Sequence, residues 1–368
     1  SAVKALSPYM FMMVILPAVR YGVPALFENG FAVMCTFGYI FWVDIVILIC
    51  GVLGAVTLGV GPKQYMEVCG ETAKNVLPVF ITIGSLLVVS YLMQSDRTGM
   101  MNLIATDVAE VDVTVPAEVR AFADANRPDV IINCAAYTNV DGCEVNHDAA
   151  FKANALGPRN LAQAATKTGA RLVHVSTDYV FSGRENGGIA QDEATLPGPI
   201  SAYGSTKLMG EKYVEQFCHR HFIVRTAWLY SYYGKNFVKT IVNAGKKFGK
   251  LEVVNDQCGN PTNAVDLAHE ILQLCVTHEY GLYHCTGEGI CSWYDFASEI
   301  IRLSGVDATV APCTSEEYKA KHPESADRPK WSALDNRMLR CTVGNEVRDW
   351  KAALACFFEH WDGDNGMK

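Results

Sequence analysis

Hydrophobic positions along this chain follow two regimes that change over near residue 100. Before it, apolar residues run on without a polar face. Phe31 to Val60 is interrupted only by Asp44, Val76 to Met93 carries no charge, and Tyr9 to Val19 is a shorter third stretch. Runs of about eighteen or more apolar residues are long enough to cross a bilayer as helices, so residues 1–100 read as a membrane-like helical segment through which the chain associates with a membrane. Ser1 in place of Met gives the segment the look of a fragment. After Arg97 charged residues return and the apolar runs shorten to strand length. Strand-like Leu103–Thr106, Val130–Cys134 and Arg171–Ser176 alternate with helix-like Pro116–Ala125 and Ala149–Thr168. This alternation predicts an α/β fold in which a parallel sheet is covered by helices on both faces.

Composition adds little to that picture. A net charge of -8 over 368 residues leaves no basic field for nucleic acid. The thirteen cysteines form no CxxC pair and no Cys/His cluster with zinc spacing, so they read as reduced thiols in a cytoplasmic protein, with neither disulfide nor metal.

The chemistry concentrates in two segments. The run Val173–Gly183 (VHVSTDYVFSG) is β-branched and ends in hydroxyls, and Tyr203 and Lys207 follow four apart, on one face of a helix. A phenol titrates near 10, so a cation one turn away favours its phenolate, and Thr177 can hydrogen-bond the same carbonyl oxygen. Carbonyl reduction by a nicotinamide needs this set.

Seven motifs in order extend the picture: Asp129–Glu144 (DVIINCAAYTNVDGCE), Lys152–Ala162, Ser176–Gly183, Ser201–Glu211, Val224–Ser231, Asp256–Thr262 and Arg328–Asn336 (RPKWSALDN). With these the chain resembles the dTDP-4-dehydrorhamnose reductases, extended short-chain dehydrogenase/reductases, over residues 103–355. The resemblance implies a doubly wound, Rossmann-like parallel sheet with a smaller substrate domain in residues 101–355, and a tail over 356–368. It implies reduction of the 4-keto group of a dTDP-linked 6-deoxysugar, giving dTDP-L-rhamnose, with NADPH or NADH as hydride donor. By the same resemblance Thr177, Tyr203 and Lys207 are catalytic and Asn154 relays a proton. Cys134, Ala135, Ala136 and Tyr137 border the nicotinamide ribose, which Lys207 also reaches. Asp178, Tyr179, Trp228 and Arg328 meet the substrate, with Trp228 offering an apolar face and Arg328 a guanidinium for the diphosphate. Tyr179 stands where a related 4,6-dehydratase needs an acid, which favours simple reduction.

The start of the chain departs from the family. The glycine-rich turn that holds a dinucleotide pyrophosphate at a helix N-terminus is expected some twenty residues before Asp107. The nearest glycines, Gly51, Gly54, Gly59 and Gly61, have the wrong spacing and lie in an apolar run. The sheet therefore reads as lacking its first βα unit, with apolar helices in front; residues 75–99 look faintly like the end of an L-lactate permease. Asp107 and Asp112 remain to meet the adenosine, and an acidic group there disfavours a 2′-phosphate, tilting the cofactor toward NADH. Two other readings stay open: a non-catalytic module resembling the regulatory β subunit of methionine adenosyltransferase, and a membrane-transporter fragment.

Overall fold

The computed structural model describes residues 103–184, 188–364 and 366–367. The apolar segments and the glycines of the first hundred residues lie outside these, as does any strand or turn that would complete the cofactor site there. No described helix is long and apolar enough to cross a membrane.

The first half of the described chain runs α1 (Pro116–Asn126), β1 (Val130–Asn133), α2 (Val140–Val145), α3 (His147–Phe151), a π turn (Lys152–Leu156), α4 (Gly157–Thr168) and β2 (Arg171–Thr177). After a short 3-10 turn come α5 (Ala202–Phe217), β3 (His221–Thr226), β4 (Leu229–Tyr230), α6 (Phe237–Phe248), β5 (Lys250–Val254), β6 (Cys258–Gly259) and β7 (Thr262–Asn263). The chain then makes α7 (Ala264–Cys275), β8 (Gly281–His284), β9 (Cys291–Ser292), α8 (Trp293–Ser304), β10 (Thr309–Cys313), α9 (Ser315–Lys321), α10 (Arg337–Cys341) and α11 (Trp350–His360).

The main sheet is parallel throughout, in the order β1-β2-β3-β8. Strand alternation distributes its apolar residues to two faces. Leu172 and Ile223 join Val119, Ala123, Leu161, Ala165 and Val214 from α1, α4 and α5. Val173, Phe222, Val224 and Tyr283 point the other way, onto Leu267, Ile271 and Leu274 of α7 and Leu339 of α10. A third core, with Val238, Ile241, Phe296, Ile300, Leu354 and Phe357, gathers α6, α8 and α11.

The parallel sheet with helices on both faces agrees with the expected architecture, while two other expectations change. Leu103–Thr106 forms no strand, because among the described residues no neighbouring strand offers it a ladder. And α11 runs across positions 355 and 356 with Phe357 fully buried, so residues 356–360 belong to the third core and not to a tail.

Local signals set the helix that carries Tyr203 and Lys207. Ser201 caps α5 by accepting the Gly204 N–H at 3.1 Å. A Cβ on Gly204 would come 2.1 Å from the Tyr179 carbonyl oxygen and one on Gly210 2.2 Å from that of Asn154. Both glycines let α5 lie directly against the chain after β2 and against the π turn.

Candidate active site

The carboxyl ends of β1 and β2 and the first turns of α5 bring the predicted residues together. Thr177, the last residue of β2, donates its hydroxyl proton to Asp178 Oδ1 at 3.0 Å and accepts the Tyr179 N–H at 3.2 Å. The Tyr203 hydroxyl lies near enough to Thr177 for the two side chains to interact. Burial pushes the Tyr203 phenol above its ordinary value, and the neighbouring charges of Asp178, Tyr179 and Cys143 add to the rise. The expected lowering by Lys207 is absent, so the phenol stays protonated at neutral pH, the state a proton donor requires.

Lys207 is 2% exposed and donates to the Val175 carbonyl at 2.6 Å. Burial lowers its ammonium to about 8, opposed by the charges of Glu211 and Cys134. The Cys134 thiol, pushed up to about 11 by burial, is held down by Lys207 in turn, which brings the end of β1 beside the ammonium. Among the described residues Lys207 uses one N–H on the protein and leaves two for a ligand. With the small residues Cys134, Ala135 and Ala136 on one side, this arrangement fits a nicotinamide ribose.

Asn154 lies in the π turn, an irregularity that recurs at functional sites. Its oxygen accepts the Tyr137 N–H at 2.7 Å. Its amide donates to the Tyr137 carbonyl at 3.1 Å and to Thr206 Oγ1 at 3.2 Å. The side chain thus clamps the loop after β1 onto α5, a structural role alongside the expected proton relay. Upstream, buried Asn133 meets His174 Nδ1 at 3.0 Å and accepts the Ala135 N–H at 3.1 Å, fixing the start of the same loop.

Asp107 and Asp112 sit in the turns before α1. Their carboxylates accept the Ala109 and Thr114 N–H groups, both at 2.8 Å. These are local turn contacts, so the carboxylates give no support to a preference for NADH.

On the substrate side, Asp178 is 2% exposed and its carboxyl is raised to about 6 by burial, against the hydroxyls of Ser332 and Thr177. The Tyr179 ring meets that of Tyr203 edge-on at 5.5 Å, and the Arg328 guanidinium lies near its phenol. Arg328 also reaches both carboxylate oxygens of Asp141, at 3.3 and 3.4 Å, while Asp141 accepts the Ala326 N–H at 2.8 Å. Trp228 stacks on Trp293 with ring centres 3.5 Å apart and lies close to Gly259, so one indole face is already covered. Its φ of 47° is left-handed and strained for a non-glycine residue.

Beside these groups opens a cleft of about 1040 Å³, lined among others by Arg184, Tyr318, Lys319, Arg328, Lys330 and Trp331. Thr177 and Tyr203 do not line it; Arg328, near the Tyr179 phenol, joins the cleft to the hydroxyl cluster. Sequence reasoning missed Asp141, which anchors Arg328 from α2, and the buried pair Glu211 and Arg225 beneath Lys207. The signal for Glu211 was its place one turn beyond Lys207.

Comparison with known proteins places the chain in a family. The family model described as RmlD substrate binding domain matches residues 80–362, which includes positions ahead of the described residues. A dTDP-4-dehydrorhamnose reductase from Clostridium acetobutylicum is 47% identical and superimposes with a TM-score of 0.69, covering 74% of this chain and 95% of its own. One from Bacillus anthracis, solved in complex with NADP, is 39% identical with a TM-score of 0.70 over the same shares. The spore coat polysaccharide biosynthesis protein SpsK of Bacillus subtilis is 39% identical over 68% of this chain and 86% of its own. On the fold, the ordered site and these matches, the chain belongs to the dTDP-4-dehydrorhamnose reductase family, whose members carry the RmlD substrate binding domain.

Proposed function

We propose that this chain reduces the 4-keto group of dTDP-4-dehydro-6-deoxy-L-mannose (dTDP-4-dehydrorhamnose) to give dTDP-L-rhamnose, with NADPH or NADH as reductant. The observation that carries the reading is the neighbouring pair of hydroxyl side chains, Tyr203 and Thr177, at the end of β2, with Lys207 one turn further along the helix that carries Tyr203.

A bound nicotinamide dinucleotide supplies the hydride. The protein's own task is to place a carbonyl and deliver a proton. The sugar carbonyl oxygen takes a position between the Tyr203 and Thr177 hydroxyls, where the protonated phenol can donate to it. As negative charge develops on that oxygen, Thr177 turns its hydroxyl from Asp178 to supply a second hydrogen bond and Tyr203 gives up its proton. The two free N–H groups of Lys207 hold the ribose and present a positive charge to the forming phenolate. Arg328, with Arg184 and Lys330 in the same cleft, suits the diphosphate of a sugar nucleotide; its long bonds to Asp141 are readily exchanged for phosphate oxygens.

The test is to incubate the full chain with a dTDP-4-keto-6-deoxysugar and NADPH or NADH, follow loss of reduced cofactor, and identify the product by NMR. Sugar-dependent oxidation yielding dTDP-L-rhamnose supports the reading. No oxidation above the sugar-free rate with either cofactor refutes it.

A further inference from the structure

Two deeply buried, oppositely charged side chains lie under the hydroxyl cluster. Glu211 is 2% exposed and Arg225 3%. Arg225 forks onto Glu211 through Nε at 3.0 Å and Nη2 at 2.7 Å, and Ser176 Oγ donates to Glu211 Oε1 at 2.5 Å. Ser176 and Arg225 are register partners in the β2–β3 ladder, so one carboxylate ties α5 to two adjacent strands at a single level. The next residue of β2 is Thr177, and the preceding one, Val175, receives the Lys207 ammonium.

Tyr203, Lys207 and Glu211 stand at i, i+4 and i+8 of α5 and form one stripe along its buried side. An ion pair buried this deeply does not stabilise a fold more than leucines of the same volume would, because both charges lose their hydration. Its effect lies in geometry and charge. The fork sets the rotation and height of α5 over β2, and the carboxylate is a negative charge one turn from a buried ammonium.

We propose that Glu211, gripped by Arg225 and Ser176, is a positioning residue that fixes the Lys207 ammonium and the Thr177 hydroxyl in relation to each other. The proposal rests on the reductase reading above and deepens it. The titratable and charged groups facing Lys207 are Cys134 from the end of β1, His174 from β2, Glu211 from α5 and, behind Glu211, Arg225 from β3. The π turn on the other side of α5 buries only Asn154 and Ala155, both uncharged. Glu211 is therefore the acidic group that opposes the burial of Lys207. Without its charge Lys207 loses its proton at lower pH, and activity that needs the ammonium falls away sooner as pH rises.

The experiment measures kcat and KM for NADPH with a dTDP-4-keto-6-deoxysugar from pH 6 to 9.5. It compares the full chain with its Glu211→Gln, Glu211→Asp and Ser176→Ala variants, using Lys207→Met and Tyr203→Phe as controls. The expected result is an alkaline limb displaced downward by about one pH unit or more in Glu211→Gln, with a raised KM for NADPH, and the limb restored in Glu211→Asp. A folded Glu211→Gln with an unmoved limb and unchanged KM overturns the proposal. Should Glu211→Gln not fold, Ser176→Ala removes one hydrogen bond and no charge; a several-fold loss of kcat/KM supports the brace and wild-type kinetics overturn it. If Lys207→Met and Tyr203→Phe remain active, the catalytic assignment itself has failed, whatever Glu211 does.

Discussion

Replacing Asn154 by alanine separates a structural clamp from a proton relay. Three hydrogen bonds are lost, at 2.7, 3.1 and 3.2 Å. Thr206 keeps the Ala202 and Tyr203 carbonyls as acceptors for its own hydroxyl, so the loss falls mainly on the two backbone groups of Tyr137. At roughly 1 kcal/mol net per bond, with some further cost for leaving half-buried backbone groups unpaired, destabilisation of about 2–3 kcal/mol is expected. In a domain of this size that lowers the melting temperature by roughly 5–10 °C. The loop Cys134–Tyr137 is then free to shift from α5, and a loss of about 1.4 kcal/mol in dinucleotide binding raises its KM about tenfold. Asn154→Asp keeps an acceptor for the Tyr137 N–H but sets a carboxylate oxygen against the Tyr137 carbonyl, so it is expected to be no better than alanine. Thermal melts and cofactor titrations check both variants. An Asn154→Ala protein with wild-type melting and cofactor KM but a collapsed kcat would refute the clamp and leave the relay.

Three other perturbations address separate parts of the account. Asp178 has its carboxyl raised from 3.8 to about 6, so the folded state holds that proton while the unfolded chain releases it, and stability falls as pH rises between those values. Asp178→Asn should therefore gain in melting temperature over the parent from about pH 4 to 6 and keep a constant gain of about 2–3 kcal/mol above, a trend that pH-dependent calorimetry reads. At Trp228 the left-handed φ of 47° means that Trp228→Gly relieves strain while Trp228→Ala does not; both lose the stack on Trp293, and denaturant titration should find the glycine variant about 1 kcal/mol the more stable. Gly210→Ala drives a methyl to 2.2 Å from the Asn154 carbonyl oxygen, so α5 must move off the π turn; a cost of about 1–3 kcal/mol and a marked fall in kcat/KM are expected, and unchanged kinetics would show that this contact does not set the position of Lys207.

The elements legible in the sequence are those fixed by local pattern. Pro116 at the start of α1, the apolar run of β1, and the run of β2 bounded by Gly169 and the hydroxyls gave boundaries within a residue or so of those observed. The Tyr203–Lys207 spacing gave the face of α5. Features created by contact between distant segments left no such trace. The π turn inside the expected helix 149–168 is met by the bare Gly210 of α5, more than fifty residues on, and the Glu211–Arg225 pair joins a helix to a strand. Arg328 was placed on the substrate side by motif, but its partner Asp141 lies 187 positions away. Leu103–Thr106 shows the converse: an apolar run of strand length becomes a strand only where a neighbour offers its hydrogen bonds.

The central claim is that Tyr203 protonates the carbonyl oxygen of a dTDP-linked 4-keto sugar as hydride arrives. Its most direct test is a single-turnover comparison of the full chain with Tyr203→Phe, both saturated with NADPH and a dTDP-4-keto-6-deoxysugar, following reduced-cofactor absorbance and product formation. The account predicts cofactor affinity within a few-fold of the parent and a rate of sugar reduction lower by about 10²–10⁴; Tyr203→Phe reducing the sugar at the parent rate would contradict it.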